Sequence, residues 1–268
     1  MPLSIATWNI NSVRLRTRIV SRFLRSHAPD VLCLQEIKCI NDNFPYKTFR
    51  RLGYRHIAVN GQMGYHGVAM VSRLPFLAEE RKGFCGKGDS RHLAVWIADG
   101  ERSIAIHNLY VPAGGDEPDP RVNPKFEHKL AFLDEMKSWV GAGAQRDPMV
   151  LVGDLNVAPL EQDVWSHRQL LNVVSHTPME TERLNAISTG GAWTDVARHF
   201  VPADEKLYTW WSYRARDWKA SNRGRRLDHI WVTQPLRDRL AGIETLSEAR
   251  GWTRPSDHVP VIAKIGDA

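Results

Sequence analysis

The sequence contains few cysteines and lacks any long apolar run, and these absences exclude several classes of protein. Its 268 residues include only Cys33, Cys39 and Cys85, an odd number without a C-x-x-C pair. A disulfide framework or a cysteine zinc site is therefore not expected. No apolar stretch approaches the roughly 20 residues of a membrane span. The first residues lead directly into a strand pattern, without the features of a signal peptide. These absences predict a cytoplasmic protein that does not bind membranes.

The composition is that of an ordinary globular protein with a small excess of positive charge. Hydrophobic residues make up 43% of the chain and charged residues 25%, enough for a full core. The formal net charge is +6. That excess is compatible with a polyanionic partner, and equally with a solvated basic surface. Without an internal repeat or a long linker, the chain is predicted to form one domain over residues 1–268.

Helical patterns lie between some of the short β-type runs. The spacing of apolar residues predicts helices over Arg14–Ser26 and Pro124–Val140, the second ended by Gly141. Turns at Asn60-Gly61 and Asp99-Gly100 connect consecutive strands. This pattern favours an α/β fold in which two mixed or antiparallel sheets pack face to face with helices outside.

The remaining segments are predicted as strands or loops. Loops are expected at Pro112–Pro124 and Arg214–Arg226, and long loops are often functional. The predicted strands are Leu3–Trp8, Val31–Gln35, His56–Val59, Gly67–Ser72, Leu93–Ala98, Ser103–Leu109, Val150–Gly153, Ala192–Asp195, Tyr208–Tyr213, His229–Val232 and Val259–Lys264.

Polar side chains adjoin several of these apolar runs. A carboxylate or amide at a strand end lies at the rim of a sheet, so residues that are distant in the chain are expected to share one site. Carboxylates, carboxamides and a histidine together suit a hard divalent cation and a phosphate. Taken singly, each is also typical of an exposed turn. The residues are Asn9, Glu36, Asp154, Asn156, Asp228, Asp257 and His258.

The types of these residues suggest a hydrolytic reaction. Asp154 and Asn156 are two apart, so in an extended segment both leave the same face. Asp154 then orients or deprotonates a water while Asn156 holds it, although an Asx turn explains the same pair. His258, with Asp228 as its partner, is a candidate general base or a donor to phosphate. Tyr110 offers a phenol or is a buried tyrosine. Because no Gly-x-Ser-x-Gly motif occurs, water is the expected nucleophile.

An aromatic segment is followed by a basic one. Tyr208–Arg214 contains two tryptophans, and Arg216–Arg226 contains several arginines and a lysine. Aromatic rings can stack on sugars or bases while guanidinium groups hold phosphates. Alternatively, the aromatics pack the core and the arginines are solvated, which accounts for about half of such residues.

Seven segments of the chain, in order, resemble the motifs of exonuclease III-type apurinic/apyrimidinic endonucleases of the endonuclease/exonuclease/phosphatase superfamily. The resemblance runs from residue 5 to residue 262. The segments are Thr7-Trp8-Asn9-Ile10-Asn11-Ser12-Val13-Arg14, Leu34-Gln35-Glu36-Ile37-Lys38, Asn108-Leu109-Tyr110-Val111-Pro112, Gly153-Asp154-Leu155-Asn156-Val157-Ala158-Pro159, Trp193-Thr194-Asp195, Asn222-Arg223-Gly224-Arg225-Arg226-Leu227-Asp228 and Ser256-Asp257-His258-Val259-Pro260.

This resemblance implies a four-layered α/β sandwich with the site at one end of two sheets. It implies Mg²⁺- or Mn²⁺-dependent hydrolysis of duplex DNA on the 5′ side of an abasic site. It leaves 3′→5′ exonuclease and 3′-end cleaning open as further activities, and one or two metals as alternatives. The expected protein is a monomer in the cytoplasm, associated with the nucleoid if bacterial.

The resemblance also implies roles for individual residues. Glu36 would be the main metal ligand, and the other metal-site residues would be Asn9, Asn11, Asp257, Asp154, Asn156 and His258. Asp154 would position or deprotonate water with help from Asn156, and His258, oriented by Asp228, would contact the phosphate. Tyr110 would bind the phosphate or assist at the leaving oxygen. Whether Asp154 or His258 is the base stays open.

Contacts to DNA are implied at further positions. Trp210 and Leu227 match the wall of a pocket for a flipped abasic sugar, and extruding a baseless sugar needs little unstacking. Arg214 matches a residue that wedges into the duplex. The matches to backbone contacts are Lys38, Tyr65 and Arg91.

Two positions depart from the pattern. Ala113 stands where relatives commonly carry Asn or Gln to hold a phosphate oxygen, and a methyl group cannot do this. The nearby Gly114-Gly115 offers backbone N–H groups instead. Arg225 replaces a larger apolar residue of some relatives and bears on the balance of endonuclease and exonuclease activity.

Two alternatives to a DNA-repair nuclease follow from the same residues. A phosphodiesterase of this superfamily acting on a lipid, RNA or small molecule is the second hypothesis. The basic Trp210–Arg226 segment argues against it. A DNA-binding module without activity is the third, and the retention of a competent residue at every matched catalytic position argues against that.

Overall fold

A computed structural model describes residues 2–140 and 147–267. Gly141, predicted to end a helix, lies outside the described residues. Within the two described ranges, no helix is both long and apolar enough to cross a bilayer.

Fourteen strands of the described chain form two six-stranded sheets and a short ribbon. The strands are β1 Leu3–Asn9, β2 Val31–Gln35, β3 His56–Asn60, β4 Val68–Ser72, β5 Ala78–Glu80, β6 His92–Asp99, β7 Arg102–Tyr110, β8 Met149–Asp154, β9 Thr194–Asp195, β10 Trp210–Trp211, β11 Gly224–Arg225, β12 Asp228–Val232, β13 Leu240–Thr245 and β14 Val261–Ile265. The first sheet has the order β13-β14-β1-β2-β4-β3, and the second has the order β5-β6-β7-β8-β12-β9. The ribbon pairs β10 with β11.

Each sheet is mixed, with one parallel pair among antiparallel ones. β1 runs parallel to β2 in the first sheet, and β7 runs parallel to β8 in the second. The carboxyl ends of these four strands lie at the same rim. The polar residues at the ends of these strands therefore meet there. This arrangement confirms the predicted pair of mixed sheets.

Helices cover the outer faces of both sheets. In the described chain they are α1 Val13–Ser26, α2 Tyr46–Arg51, α3 Pro124–Val140, α4 His167–Leu170, α5 Pro178–Gly190, α6 Val196–Phe200, α7 Trp218–Ser221 and α8 Gln234–Arg237. Single 3₁₀ turns span Asn41–Asn43, Glu161–Asp163 and Ser247–Gly251.

The core is built in layers, one between the two sheets and one between each sheet and the helices outside it. Between the sheets, Ile5 and Met70 of the first sheet pack in one cluster with Ile106 and Val152 of the second. Outside the first sheet, α1 buries Phe23. Outside the second sheet, α3 and α5 bury their apolar faces in a further cluster. The predicted four-layered α/β sandwich is thereby confirmed.

The predicted strands and helices agree with the structure apart from a few segments. The strand predicted at Ala192–Asp195 begins only at Thr194, because Ala192 and Trp193 form the turn that ends α5. The strand predicted at Tyr208–Tyr213 shrinks to two residues, since its partner β11 is equally short. The predicted loop Arg214–Arg226 contains α7 and β11, whereas Pro112–Pro124 is a loop up to the start of α3.

Three buried histidines are expected to make the fold sensitive to acid. Burial lowers the pKa of His92 to about 3 and the pKa values of His107 and His229 to about 4. In the unfolded chain a histidine titrates near 6.5. Between these values the unfolded state binds more protons, so stability present above pH 6.5 is lost as the pH falls. From pH 7 to pH 5, the free energy of unfolding in urea should drop by about 2 kcal/mol per histidine.

A matched pair of variants tests this origin of acid sensitivity. His107→Phe removes one titrating ring from the core and should flatten the loss of stability between pH 7 and pH 5. His199→Phe alters an exposed histidine and should leave the loss unchanged. Equal losses in His107→Phe and the unaltered protein would contradict the assignment.

Candidate active site

A cleft of about 770 Å³ opens at the rim where strands of both sheets end. It contains twelve of the residues singled out in the sequence. They are Asn9, Asn11, Glu36, Tyr110, Asp154, Asn156, Trp210, Arg214, Arg225, Leu227, Asp257 and His258. Asp228 lies directly behind His258 and, like Lys38, Tyr65 and Arg91, is outside the lining of the cleft.

The end of β8 is held unusually close to β7. Gly153 has φ +144°, and a Cβ atom there would lie 1.9 Å from the carbonyl oxygen of Leu109. Only glycine permits this approach. It sets Asp154 in register with Tyr110 on the neighbouring strand, so both side chains reach the cleft.

Three donors orient the Asp154 carboxylate. Its Oδ2 accepts hydrogen bonds from Asn9 Nδ2 at 2.8 Å and Asn156 Nδ2 at 3.1 Å. Its Oδ1 accepts from the backbone N–H of Asn156 at 3.0 Å. The buried carboxylate is therefore fixed as an acceptor, with both amide side chains turned to present N–H groups to it.

A second carboxylate orients His258. Asp228 Oδ2 lies 2.8 Å from His258 Nδ1. Asp228 Oδ2 also accepts a 2.6 Å hydrogen bond from the Thr209 hydroxyl. Nε2 of the same imidazole lies 3.7 Å from Asp154 Oδ2, too long for a hydrogen bond. The imidazole thus turns one nitrogen to Asp228 and the other to the cleft beside Asp154.

Burial and charge shift both pKa values in this group. Burial opposes protonation of His258, but the Asp228 and Asp154 carboxylates outweigh it and raise the pKa of His258 to about 10. Burial also raises the pKa of Asp154, although the imidazolium of His258 opposes this rise. At neutral pH the imidazole therefore carries a positive charge beside a carboxylate of increased basicity.

Oxygen atoms converge on the other side of the cleft. Lys38 Nζ lies 2.8 Å from Glu36 Oε1 and donates a 2.7 Å hydrogen bond to Asn11 Oδ1. Asn11 Nδ2 in turn donates to Asp257 Oδ1 at 3.1 Å. A cationic group thus already lies between two of the oxygens predicted to bind metal. Carboxylate and amide oxygens are the ligands that Mg²⁺ and Mn²⁺ prefer, so this donor set fits such an ion.

The acidic and imidazole groups on the Asp154 side are also close together. Ligand atoms of Asp154, Asp228 and His258 lie within 4.8 Å of one another. The bond between Asp228 Oδ2 and His258 Nδ1 occupies two of these atoms with each other. Asp154 is therefore the member of this group that is best placed to share an ion with Glu36.

The backbone is strained where these residues leave their strands. Asn11, Glu36, Lys38 and Asn156 have φ between 46° and 54°, a left-handed conformation that is uncommon outside glycine. Such conformations persist only where the surrounding structure enforces them, and they concentrate at functional sites. At Asn11, Glu36 and Asn156, the turn after the strand thus aims the side chain into the cleft.

Tyr110 and Arg91 form a stacked pair at the edge of the site. Burial, together with the Glu36 and Asp154 carboxylates, raises the pKa of Tyr110, so its phenol keeps a proton. The Arg91 guanidinium lies 5.1 Å from the Tyr110 ring, is 6% exposed, and donates to the Tyr110 carbonyl oxygen. Arg91 therefore packs behind Tyr110. Tyr65, in contrast, is 69% exposed.

Comparisons with known proteins agree with this geometry. The sequence profile described as the Endonuclease/Exonuclease/phosphatase family matches residues 6–258. The chain belongs to this family. It is 28% identical over 274 residues to exodeoxyribonuclease III of Haemophilus influenzae, covering 98% of this chain and all of that protein.

Two solved structures extend the comparison. An AP endonuclease from Archaeoglobus fulgidus is 32% identical, with a TM-score of 0.89, covering 98% of this chain and 99% of the other. A 3′ phosphatase from Neisseria bound to product DNA hairpin is 29% identical, also with a TM-score of 0.89 and the same two coverages. The expected kinship with exonuclease III-type nucleases is confirmed. The names of these three relatives describe three different activities.

In this family member, a buried ionic cluster that sequence reasoning missed supports Asp228. Arg226 is fully buried and binds both oxygens of Asp163, at 2.8 and 2.9 Å, and Asp195 at 2.7 Å. Arg226 directly precedes Leu227 and Asp228, whose backbone N–H groups donate to Thr209 Oγ1. The one signal of this cluster in the sequence is that charged residues lie inside the matching motifs. From the sequence, however, Arg226 was interpreted as part of a DNA-binding run.

A second missed pair lies behind Asn156. The buried Lys129 forms an ion pair with Glu180, and its Nζ donates to the carbonyl oxygens of Asn156 and Ala113. Glu180 also accepts from the backbone N–H groups of Ser175 and Thr177. This pair joins α3 and α5 to the backbone at Ala113 and Asn156, at the edge of the cleft. Its sequence signal is Thr177-Pro-Met-Glu180, a capping box with proline in the first turn.

Proposed function

We propose that this chain is a Mg²⁺- or Mn²⁺-dependent DNA-repair nuclease that hydrolyses the phosphodiester on the 5′ side of abasic sites in duplex DNA. Removal of nucleotides from 3′ ends and cleaning of blocked 3′ ends are proposed as further activities. The observation that carries the proposal is the pairing of an oriented Asp154 carboxylate with the Asp228-linked His258 in a cleft that also contains Trp210 and Leu227.

The pKa shifts favour a division of roles between Asp154 and His258. Asp154, more basic because it is buried, accepts the proton of an attacking water that Asn156 helps to position. His258, charged at neutral pH, donates from Nε2 to a phosphate oxygen and stabilises the negative charge that develops there. Asp228 holds the ring in the required orientation.

The attack breaks the bond between phosphorus and the O3′ atom of the preceding nucleotide. The products are a 3′-hydroxyl and a 5′-phosphate on the abasic sugar. Tyr110 keeps its proton at neutral pH and is placed to donate to the phosphate or the departing oxygen. Glu36, Asn11, Asn9 and Asp257, with Asp154, would hold the divalent ion, which supplies charge neutralisation at the phosphate.

The walls of the cleft support a DNA substrate. The Trp210 indole donates a 3.0 Å hydrogen bond to Asp257, which fixes its ring beside the predicted metal ligands. Arg214 lines the same cleft, and the Arg223 guanidinium lies 4.7 Å from the Trp165 ring. Aromatic faces that can stack on bases, beside guanidinium groups that bind phosphates, suit a nucleic acid, whereas a lipid headgroup offers phosphates but no base to stack. A phosphodiesterase for lipids or small molecules is therefore not favoured.

Residues from both sheets share one core cluster, which supports a single domain over residues 1–268. We propose that it acts as a monomer on duplex DNA, with Lys38 and the exposed Tyr65 near the backbone path and the buried Arg91 holding Tyr110 from behind. Since DNA is the proposed substrate, the cytoplasm is its proposed location, at the nucleoid if the source is bacterial.

Nicking of a duplex with one central tetrahydrofuran abasic analogue tests the proposal. The reaction is run with Mg²⁺ or with EDTA, beside an undamaged duplex and a soluble phosphodiester. Metal-dependent nicking confined to the analogue is expected. Shortening of the undamaged 3′ end with an intact analogue would replace the endonuclease assignment with an exonuclease. Turnover of the soluble phosphodiester alone would favour the second hypothesis.

Removal of the main proposed metal ligand should change the metal requirement. Glu36→Ala should raise the Mg²⁺ concentration that gives half-maximal nicking by about tenfold or more, because an anionic oxygen is lost from the ion's coordination. The measurement is a Mg²⁺ titration of the nicking rate. Glu80→Ala, which alters an exposed carboxylate on β5, is the control. An unchanged titration in Glu36→Ala would remove this residue from the proposed ligand set.

A further inference from the structure

Arg225 is the residue of the cleft whose chemistry departs most from an apolar sugar pocket. Arg225 and Trp210 are cross-strand partners in the ribbon of β10 and β11. The guanidinium carbon lies 5.3 Å from the centroid of the Trp210 ring. Arg225 and Trp210 thus lie side by side on one face of the two-stranded ribbon. They present a guanidinium group stacked on an indole ring to the cleft.

Hydrogen bonds fix this guanidinium from behind. Its Nη1 donates to the carbonyl oxygen of Val174 at 2.9 Å and to Ser175 Oγ at 2.7 Å. The backbone N–H of Ser175 donates in turn to Glu180, the partner of the buried Lys129. Arg225 is therefore part of a rigid wall rather than a mobile surface side chain.

The anchored guanidinium keeps unused donors. Among the described residues, the acceptors that bind it are the two that engage Nη1, and its Nε is buried without a hydrogen-bond partner. A buried donor without a partner is unfavourable by itself. Nη2 also has no hydrogen-bond partner among the described residues, but it is not buried in this way, so it can donate to an acceptor that a ligand brings into the cleft.

The surroundings of Arg225 limit what that acceptor can be. Leu170, Val173 and Leu227 pack with Trp210 in one apolar cluster, and all four line the cleft with Arg225. A phosphate needs several converging donors, which these apolar side chains do not supply. A small, largely apolar group with one oxygen fits better. The ring of an abasic deoxyribose within a strand has this character, because its carbon atoms are apolar and the oxygen on C1′ is its one free hydroxyl.

We propose that Arg225 is a specificity-determining residue that donates a hydrogen bond to the oxygen on C1′ of a flipped abasic deoxyribose. This inference rests on the proposed function and names the group read in the pocket. In an intact nucleotide a base occupies C1′, whereas at an abasic site a hydroxyl or aldehyde oxygen takes its place. A site built to bind that oxygen discriminates against an analogue that lacks it.

The test uses duplexes that differ only at one lesion. One carries the natural abasic site, one its borohydride-reduced form, and one the tetrahydrofuran analogue, which has no oxygen on C1′ outside the ring. For the unaltered protein, kcat/KM for the two oxygen-bearing lesions should exceed that for tetrahydrofuran by about tenfold, as expected for a hydrogen bond from a charged donor. In Arg225→Met this ratio should fall towards one.

Two further variants keep the test decisive. Arg223→Met removes an exposed guanidinium that stacks on Trp165 in the same cleft, and its ratio should equal that of the unaltered protein. Arg225→Gln serves if thermal melting shows that Arg225→Met does not fold, and its ratio should also fall. The kcat/KM ratio of the unaltered protein tests the inference by itself, even if neither Arg225 variant folds.

The outcomes separate this inference from the proposed function. Equal cleavage of all three lesions, or a ratio that persists in Arg225→Met, would overturn the role of Arg225 while leaving an abasic-site nuclease. Failure to cleave any of the lesions in the presence of Mg²⁺ would overturn both.

Discussion

Replacement of Asp154 by asparagine is expected to slow nicking of abasic duplex DNA by about a thousandfold or more, with little change in DNA affinity. A neutral amide cannot take the proton of the attacking water, and general-base catalysis contributes about 10²- to 10⁴-fold to a rate. The amide would also turn an N–H group towards Asn9 or Asn156, which now donate to the carboxylate.

Single-turnover nicking rates and DNA binding in EDTA measure these two effects separately. Asp134→Asn makes the same chemical change at an exposed carboxylate on α3, and its nicking rate should match the unaltered protein. A near-normal rate for Asp154→Asn would mean that another group activates the water, and the roles assigned to Asp154 and His258 would have to be exchanged.

Replacement of His258 by alanine should cost about a thousandfold in the nicking rate for a different reason. It removes the positive charge that the proposal places at the phosphate, and loss of one such donor costs about 10²- to 10³-fold. It also leaves the buried Asp228 carboxylate without its 2.8 Å partner. His258→Gln, which keeps a polar side chain of similar size, serves if the alanine variant melts at a lower temperature.

A double-mutant cycle tests whether His258 and Asp228 act as a unit. Asp228→Asn alone should slow nicking, because the imidazole loses charge and orientation. Asp228→Asn combined with His258→Ala should be no slower than His258→Ala alone. Losses that multiply would show that Asp228 acts independently of the histidine.

A strand could be predicted from the sequence where its complete burial requires a continuous run of apolar residues. Val31–Gln35 is a continuous buried run and was predicted to the residue. The strand Leu240–Thr245 was missed, since its burial does not alternate and no residue in it is fully buried. Helix α5 was missed although its capping box was visible, because its buried apolar positions are sparse: Leu184 and Ile187 are buried, and the third buried residue is the charged Glu180.

The site was predictable in its members but not in its geometry. Polar residues at strand ends indicated Asp154 and His258, yet the sequence left the base unassigned because the 3.7 Å approach and the shared burial are products of folding. The role of Arg226 could not be read either. A buried arginine and a solvated arginine look alike in a sequence. Only the positions of Asp163 and Asp195 in the fold show that Arg226 is buried and paired.

The site lies across the seam between the two sheets, and this has a consequence for synthesis of the chain. Asn9 contacts Asp154 across 145 residues, and Trp8 donates to the carbonyl oxygen of His258 across 250 residues. Contacts of such long sequence separation form late, and domains on the ribosome fold from the N-terminus onward. A nascent chain therefore cannot place His258, the proposed phosphate-binding residue, until β14 has emerged and paired with β1. Molecules that are still being synthesised therefore lack an assembled cleft and the nuclease activity that depends on it.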